Sequence, residues 1–114
     1  NPWATYKAGE GGRLPYPDAF FDLVTTICVV HHVPPAEWAA FARELRRVTR
    51  PGGCVAVIEH NPFNPLTRLA VSRCAFDADA VLLSAGRARA LLAEAGFKNP
   101  ESRFFLLAPS LARP

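Results

Sequence analysis

The strongest constraint on the fold is a pattern of strand, helix and strand between residues 21 and 58. Residues 21–30 are rich in β-branched and other apolar side chains without strict alternation, and residues 54–58 form a second such run. An apolar run of this kind is typical of a strand buried on both faces, as in a parallel sheet covered by helices. Because a helical segment separates the runs, the spacing predicts two parallel strands joined by a right-handed crossover.

The connecting segment, residues 35–50, has the pattern of an amphipathic helix. Its apolar residues recur at steps of three and four, at Trp38, Phe41, Ala42, Leu45 and Val48. Pro35 suits the first helical turn, and the sequence Pro51-Gly52-Gly53 predicts the end of the helix. The arginines are interpreted as the solvated face and the C-terminal turn of this helix: Arg43, Arg46, Arg47 and Arg50.

Two further strands and two further helices are predicted. A short strand over residues 3–8 ends at the glycine-rich residues 9–12, and a last strand covers residues 102–107. Asn64 is expected to cap a helix that ends near Cys74. Ser84 is expected to cap a helix that ends near Ala95, with Gly96 in the left-handed conformation and Leu91, Leu92 and Ala95 facing inward. No repeat or linker interrupts the chain, so residues 1–114 are taken as one domain.

Composition narrows the class of protein. Half of the 114 residues are hydrophobic and 20% are charged, which is typical of one soluble globular domain, and no apolar run is long enough for a membrane span. The odd number of cysteines, Cys28, Cys54 and Cys74, favours a reducing compartment, which predicts a cytoplasmic protein with these thiols in its core. The net charge of +3 forms no block of like charge and gives no clear indication of nucleic-acid binding.

Four segments resemble one known family. Residues 9–24, Gly-Glu-Gly-Gly-Arg-Leu-Pro-Tyr-Pro-Asp-Ala-Phe-Phe-Asp-Leu-Val, are similar to a signature of the class I S-adenosylmethionine-dependent methyltransferases. Residues 30–33 resemble the Leu-x-His-Val segment after the fourth strand of that family. Residues 47–53 resemble its Arg-x-Leu-x-Pro-Gly-Gly turn, and residues 91–97 its helix before the sixth strand. The four segments follow the order and spacing of the family.

The resemblance implies an α/β, Rossmann-like class I methyltransferase fold that is incomplete. The matching parts are strands three to six with their helices, whereas the first, second and seventh strands have no counterpart. The chain begins with asparagine and contains no methionine, which also suggests a fragment. We therefore expect a fragment that is inactive alone and that self-associates through an exposed sheet edge.

The resemblance also implies S-adenosyl-L-methionine as the cofactor. In this family an acidic residue after the third strand contacts the adenine amino group, and Glu10 stands at that place, with the backbone of Gly11 lining the adenine pocket. Cys28 and Val29, at the end of the fourth strand, correspond to residues that face the methionine portion. His32 lies toward the acceptor and is the candidate catalytic base, although a plain role in closing the end of the strand is an alternative.

Candidate substrate-binding residues follow the second apolar run. His60 and Asn61 lie at its tip, where acceptors commonly bind, and Arg68 follows in the next helix; an ordinary proline turn is the alternative for Asn61. Recognition of a polar acceptor is one interpretation of four further charged residues, but a solvated surface is the favoured one: Arg68, Arg73, Asp77 and Asp79. No metal site is predicted, because the neighbours His31 and His32 would diverge on a strand and no carboxylate spacing completes a set with His60.

The sequence therefore predicts methyl transfer to an unidentified acceptor: a small metabolite or a lipid-like quinone precursor is favoured, and a protein or nucleic acid stays open. A non-catalytic α/β interaction module on the same scaffold is the alternative, because the family's Gly-rich loop after its first strand has no counterpart here. A dehydrogenase of related fold is disfavoured by the Pro51-Gly52-Gly53 turn and by the Leu-Pro-x-x-Asp loop.

Overall fold

The computed structural model describes residues 2–105. Its strands are β1 (Phe21–Ile27) and β2 (Thr49–Ile58), and its α-helices are α1 (Trp38–Val48), α2 (Pro65–Arg73) and α3 (Ala85–Glu94). Three single 3-10 turns complete the structure: Val30–His32, Pro35–Glu37 and Ala75–Asp77. Within residues 2–105 no helix combines the length and the apolar character that a membrane crossing requires.

The two strands pair in parallel, as the apolar runs predicted. Leu23 lies opposite Cys54 and Ile27 opposite Ile58, with a register irregularity between Phe21 and Leu23. β2 begins five residues earlier than residues 54–58 predicted, and β1 ends at Ile27 rather than at residue 30. The predicted order of strand, helix and parallel strand is confirmed. Among the described residues the sheet has two strands, β1 and β2.

α1 provides most of the core, because its apolar residues repeat with the helical period. Four of its residues are buried: Trp38, Ala42, Leu45 and Val48. The sequence pattern predicted all four on the apolar face of the helix. Trp38 and Ala42 form one buried apolar cluster with Val30, Leu83 and, from α3, Leu91. Val57 of β2 packs against this cluster. The α-helix is shorter than residues 35–50, because residues 35–37 form a 3-10 turn and Thr49 already belongs to β2.

The prediction that both faces of the strands are buried is wrong for the described residues. Leu23 is 58% exposed and Ile27 is 61% exposed. Cys54 is exposed as well, which contradicts the prediction that all three cysteines are core residues. The physical reason is that α1 and α3 pack together against the face that carries Thr26 and Val57, which leaves the opposite face open among residues 2–105.

Neither terminal strand forms within the described residues. Residues 3–8 are exposed and carry no strand; only an isolated bridge between Glu10 and Arg13 follows them. Residues 102–105 are not a strand either, and residues 106–107 lie outside the described range. A strand is stabilised by ladder hydrogen bonds to a neighbouring strand, and the sheet of the described residues pairs β1 with β2.

The predicted helix caps are confirmed. The Asn64 side chain accepts hydrogen bonds from the backbone N–H groups of Leu66 and Thr67 at the start of α2. The Ser84 hydroxyl accepts from the Arg87 N–H at the start of α3.

Gly96 has a φ of 97°, so it ends α3 in the predicted left-handed conformation. Leu91 is buried, and Leu92 and Ala95 are half-buried.

Arg47 anchors a loop instead of lying on a solvated face, which corrects the interpretation of this arginine. Its guanidinium donates to the carbonyl oxygens of Leu14 and Tyr16, at 3.1 and 2.8 Å, and to Asp18 Oδ1 at 2.7 Å. The Arg47 guanidinium also forms a bidentate salt bridge with the Glu44 carboxylate. The hydrogen bonds of this salt bridge are the main reason that the pKa of Glu44 is lowered. The fork geometry of arginine thereby attaches residues 14–18 to α1.

We expect the substitution Gly53→Ala to lower the free energy of unfolding by about 1–3 kcal/mol. A Cβ atom at Gly53 would lie 2.9 Å from the Asp22 carbonyl oxygen and 2.9 Å from Thr49 Cγ2, so the backbone at the register irregularity would have to shift. Urea unfolding followed by circular dichroism measures the loss. Gly86→Ala is the matched control, because a Cβ atom there meets nothing within 4 Å; equal stability of the two variants would contradict the prediction.

Candidate functional site

The candidate site lies where β1 and β2 end, and the Glu59 carboxylate joins the two ends. The last ladder bond runs from the Cys28 N–H to the Ile58 carbonyl oxygen, at 2.8 Å. Beyond it, Glu59 Oε1 accepts hydrogen bonds from the Val29 and Val30 N–H groups, at 3.0 and 2.7 Å. The Glu59 side chain therefore continues the pairing of the two strands beyond the point where the backbone of β1 turns away from the sheet.

The turn away from the sheet begins at Cys28, which has a φ of 53°. Left-handed backbone is costly for a residue with a side chain and persists where surrounding contacts enforce it. Here the contacts are the Cys28 ladder bond and the two bonds to Glu59. This turn explains why β1 is three residues shorter than the apolar run predicted.

Val30–His32, here named the histidine turn, is held in place by three further hydrogen bonds. Trp38 Nε1 donates to the carbonyl oxygens of Val30 and Val33, at 3.1 and 2.9 Å. The Val81 N–H donates to the His31 carbonyl oxygen, at 2.9 Å. The turn is thus tied to α1 on one side and to the segment before α3 on the other.

Four side chains of the site form what we name the histidine–carboxylate cluster: His31, His32, Glu59 and Asp77. His31 Nδ1 lies 2.5 Å from Glu59 Oε2. On the other side of the ring, His31 Nε2 lies 3.4 Å from Asp77 Oδ1, and His32 Nε2 lies 3.5 Å from the same oxygen. The His31 side chain is only 1% exposed, that of Asp77 13%, and that of His32 42%. The cluster is therefore buried at one end and open at the other.

The carboxyl group of Asp77 has a lowered pKa. The largest cause is a hydrogen bond from the Cys74 thiol, which burial of the carboxyl group opposes, and the neighbouring His31 and His32 lower the pKa further. In contrast, burial raises the pKa of the Cys28 thiol, and the charges of Glu59 and Asp77 add to that effect. The site thus favours a charged Asp77 beside an uncharged Cys28 thiol.

The structure brings together Cys28, Val29 and His32 of the residues that the sequence predicted. Val29 hydrogen-bonds to Glu59 through its backbone, Cys28 precedes it, and His32 belongs to the cluster. Glu10 and Gly11 instead lie in an exposed turn, where the backbone groups of Glu10 and Arg13 bond to each other at 3.2 and 3.0 Å.

The predicted substrate residues divide between two places. The His60 ring lies 5.2 Å from the His31 ring, and His60 and Asn61 line a cavity of about 850 Å³ along β2. Asn61 Oδ1 accepts from the Phe63 N–H at 3.0 Å, so it also stabilises a local turn. Arg68 is exposed on α2. The four predicted cofactor-binding residues are not among the described residues that line this cavity.

Sequence reasoning missed the roles of Glu59, His31 and Asp77. Glu59 could have been found, because an acidic residue directly after a buried parallel strand lies at the edge where ligands bind. Asp77 was interpreted as compatible with solvated surface, yet its side chain is mostly buried against the histidines. The expectation that His31 and His32 diverge is also wrong: they lie in a 3-10 turn, and their ring centres are 4.2 Å apart.

The comparison with known families identifies the class of protein. The sequence model of the methyltransferase domain family matches residues 1–57, half of the chain. The chain belongs to this family, which confirms the resemblance to class I S-adenosylmethionine-dependent methyltransferases. Membership implies a Rossmann-like fold, of which the described residues show a parallel strand pair and its helices.

Individual relatives agree with this assignment. The chain is 44% identical over 59 residues to a demethylmenaquinone methyltransferase of Streptomyces griseus, which covers 52% of this chain and 25% of the relative. It is 38% identical over 64 residues to an uncharacterized methyltransferase of Synechocystis, covering 55% of this chain and 30% of the relative. It is 38% identical over 56 residues to a norajmaline N-methyltransferase of Rauvolfia serpentina, covering 49% of this chain and 18% of the relative.

The matched region therefore spans less than a third of each of these relatives. No solved structure matches the chain significantly.

Proposed function

We propose that this chain is part of an enzyme that transfers the methyl group of S-adenosyl-L-methionine to a small-molecule acceptor. The observation that carries the proposal is the Glu59 carboxylate, which joins the ends of β1 and β2 and holds the histidine turn there. Ligands of open parallel sheets bind beyond the carboxyl ends of the strands. Family membership supports methyl transfer as the reaction type. The edge of the sheet where β1 and β2 end is the location that we propose for this reaction.

The residues at this edge fit one wall of a cofactor pocket. When bound, the cofactor supplies a methyl group on a positively charged sulfur. Cys28 and Val29 would face its methionine portion, and the Val29 side chain is exposed and apolar. The raised pKa of Cys28 keeps its thiol uncharged, so it is a weak nucleophile and would not compete with the acceptor for the methyl group. Glu10 and Gly11 would contact the adenine.

His32 is proposed as the base that removes a proton from the acceptor. Its side chain is the most accessible of the cluster, and Asp77 lies close enough to stabilise the positive charge that the ring acquires. Most of the rate enhancement of methyl transfer can come from the alignment of donor and acceptor. The base therefore matters most for acceptors that carry a hydroxyl or amine proton.

The acceptor is proposed to be a small organic molecule that binds near His60, Asn61 and Arg68. His60 and Asn61 line the cavity beside the cluster. Relatives are named for demethylmenaquinone and for norajmaline, both of which are small molecules rather than macromolecules. A quinone precursor and an amine are therefore the two acceptors to test first.

A methyl-transfer assay on the natural gene product that carries this sequence tests the proposal. With methyl-labelled S-adenosylmethionine, we expect label to enter demethylmenaquinone or a secondary amine. His32→Gln should lower kcat by about 10²–10⁴-fold for an amine or hydroxyl acceptor, whereas Glu94→Gln, an exposed change on α3, should leave it unchanged. Absence of labelled product with both acceptor classes would contradict the proposed acceptor class.

We expect the 114-residue chain by itself to be inactive and to bind the cofactor weakly. The predicted adenine residues lie in an exposed turn, and none of the predicted cofactor residues is among the described residues that line the cavity along β2. Calorimetry with S-adenosylhomocysteine measures the affinity. Tight binding at one molecule per chain would contradict this expectation.

Self-association through the open side of β1 is also proposed. The exposed side chains of Leu23 and Ile27 lie on a strand with one partner, β2, among the described residues. An apolar edge strand of this kind favours pairing with a second copy. In gel filtration we expect a dimer or larger species that Leu23→Lys converts to a monomer; a monomeric parent chain would contradict the proposal.

A further inference from the structure

We propose that His31, His32 and Asp77 form a binding site for a divalent transition metal ion of the zinc type, and that the ion, when bound, occupies His32 Nε2 and so prevents His32 from acting as the base proposed above. The observation that leads to this inference is the buried Nε2 atom of His31, which has no hydrogen bond of good geometry: the side chain is 1% exposed, and Asp77 Oδ1 lies 3.4 Å away as an ion-pair contact. A buried polar atom without a partner is costly and calls for an explanation. This atom points to the same place as His32 Nε2 and Asp77 Oδ1, and the three ligand atoms lie within 4.8 Å of one another.

The two distances from Asp77 Oδ1 to the histidine nitrogens match those of a tetrahedral zinc site. With metal–ligand bonds of about 2.0–2.1 Å, two ligand atoms of a tetrahedral site lie roughly 3.4 Å apart. Asp77 Oδ1 lies 3.4 Å from His31 Nε2 and 3.5 Å from His32 Nε2. The histidine ligand atoms lie within 4.8 Å of each other, so one ion could contact all three atoms after a side-chain shift of up to about 1.4 Å.

The side chains that hydrogen-bond to the proposed ligands are also typical of a metal centre. Glu59 Oε2 contacts His31 Nδ1 at 2.5 Å, so a proton on Nδ1 leaves Nε2 with its lone pair toward the ion. The Cys74 thiol hydrogen-bonds to Asp77 and so helps to orient this carboxylate. Glu59 and Cys74 thus orient two of the three ligands without binding the ion themselves.

The ligand types select the class of ion. Two imidazoles and one carboxylate suit zinc and neighbouring transition metals, whereas calcium and magnesium prefer sites made only of oxygen atoms. Three protein ligands leave the fourth tetrahedral position for water or an incoming molecule. The His32 side chain is 42% exposed, so the ion can enter from the solvent side.

Titration of the purified chain with zinc chloride or cobalt chloride tests the site. The exposed thiol of Cys54 could bind metal by itself, so the parent for all measurements is Cys54→Ser. We expect one zinc ion per chain by calorimetry and elemental analysis after gel filtration. Cobalt should give the visible absorption bands of a tetrahedral complex with nitrogen and oxygen ligands. These readouts do not depend on methyl transfer, so they distinguish this inference from the proposed function.

Matched variants define the ligand set. Asp77→Asn and His32→Gln should each weaken zinc binding by about 100-fold or more, since removal of a supporting outer group already costs 10–100-fold in other sites. Asp79→Asn, an exposed neighbour of Asp77, should bind as the parent does. Circular dichroism verifies that the variants are folded. His60→Gln should also retain binding, because His60 is not part of the proposed set.

Three results would overturn the inference: no zinc bound at stoichiometric concentration near neutral pH, equal binding by Asp77→Asn and Asp79→Asn, or loss of binding in His60→Gln. The first would show that the cluster is held only by pairs between the histidines and carboxylates. The others would place the ion outside the proposed ligands.

Discussion

Replacing Glu59 by alanine is expected to lower the free energy of unfolding by about 3 kcal/mol, the upper part of the range for hydrogen bonds to a charged group, since three donors, two of them partly buried, lose their acceptor. Glu59 accepts hydrogen bonds from the Val29 and Val30 N–H groups and contacts His31 Nδ1. The alanine variant loses all three contacts, and no other described contact replaces them at the two N–H groups or at His31 Nδ1. Because the carboxylate links β1 to β2, the histidine turn should loosen as well.

Glu59→Gln separates the charge of this side chain from its shape. The amide oxygen can still accept from a backbone N–H, so a smaller loss of about 1 kcal/mol is expected, the difference between a charged and a neutral hydrogen bond. Urea unfolding measures both variants, and amide hydrogen exchange reports Val29 and Val30 directly. Glu94→Ala on the exposed surface of α3 serves as the control and should change stability by less than about 0.5 kcal/mol.

If Glu59→Ala were as stable as Glu94→Ala, and if Val29 and Val30 exchanged at unchanged rates, Glu59 would not be the link between the strands. The proposed organisation of the site would then be wrong, whatever the acceptor of the enzyme.

Trp38→Ala is expected to cost about 3–5 kcal/mol, the range for removing a large aromatic side chain from a core. Trp38 is the first residue of α1, and it is buried in the apolar core with Val30, Leu83 and Leu91. Its Nε1 atom also donates to the carbonyl oxygens of Val30 and Val33. The same side chain therefore fills the core and fixes both ends of the histidine turn.

Trp38→Phe distinguishes these two contributions. Phenylalanine keeps most of the apolar contact but has no N–H donor, so a loss of about 1–3 kcal/mol is expected from the missing hydrogen bonds. Thermal and urea unfolding measure both variants, with Tyr6→Phe as the control because the Tyr6 side chain is 80% exposed. Equal stability of Trp38→Phe and the parent chain would show that the two hydrogen bonds do not hold the turn.

Local features of the fold were predictable because their causes lie close together in the sequence. The apolar period of three and four residues placed α1, and Asn64 and Ser84 marked the starts of α2 and α3. Gly96 marked the end of α3. Periodicity and capping depend on neighbours within one or two helical turns, so they are visible without tertiary structure.

Features that depend on distant neighbours were not predictable in the same way. The interpretation of Arg47 as solvated was wrong, because its partners at residues 14–18 lie about thirty positions earlier in the chain. The prediction of strands buried on both faces was wrong, because apolar composition does not show whether a second layer is present. The assignment of Glu10 and Gly11 to the cofactor remains a prediction.

The amino-acid sequence by itself determined the family, the parallel strand pair with its helix, and the presence of histidines near the end of β1. Only the tertiary structure decided what those histidines do. Cys28 turns the backbone out of the sheet, Glu59 takes over the pairing, and Asp77 arrives from beyond α2 to meet both imidazole rings. These contacts join residues that are far apart along the chain, and their geometry exists only once the chain has packed.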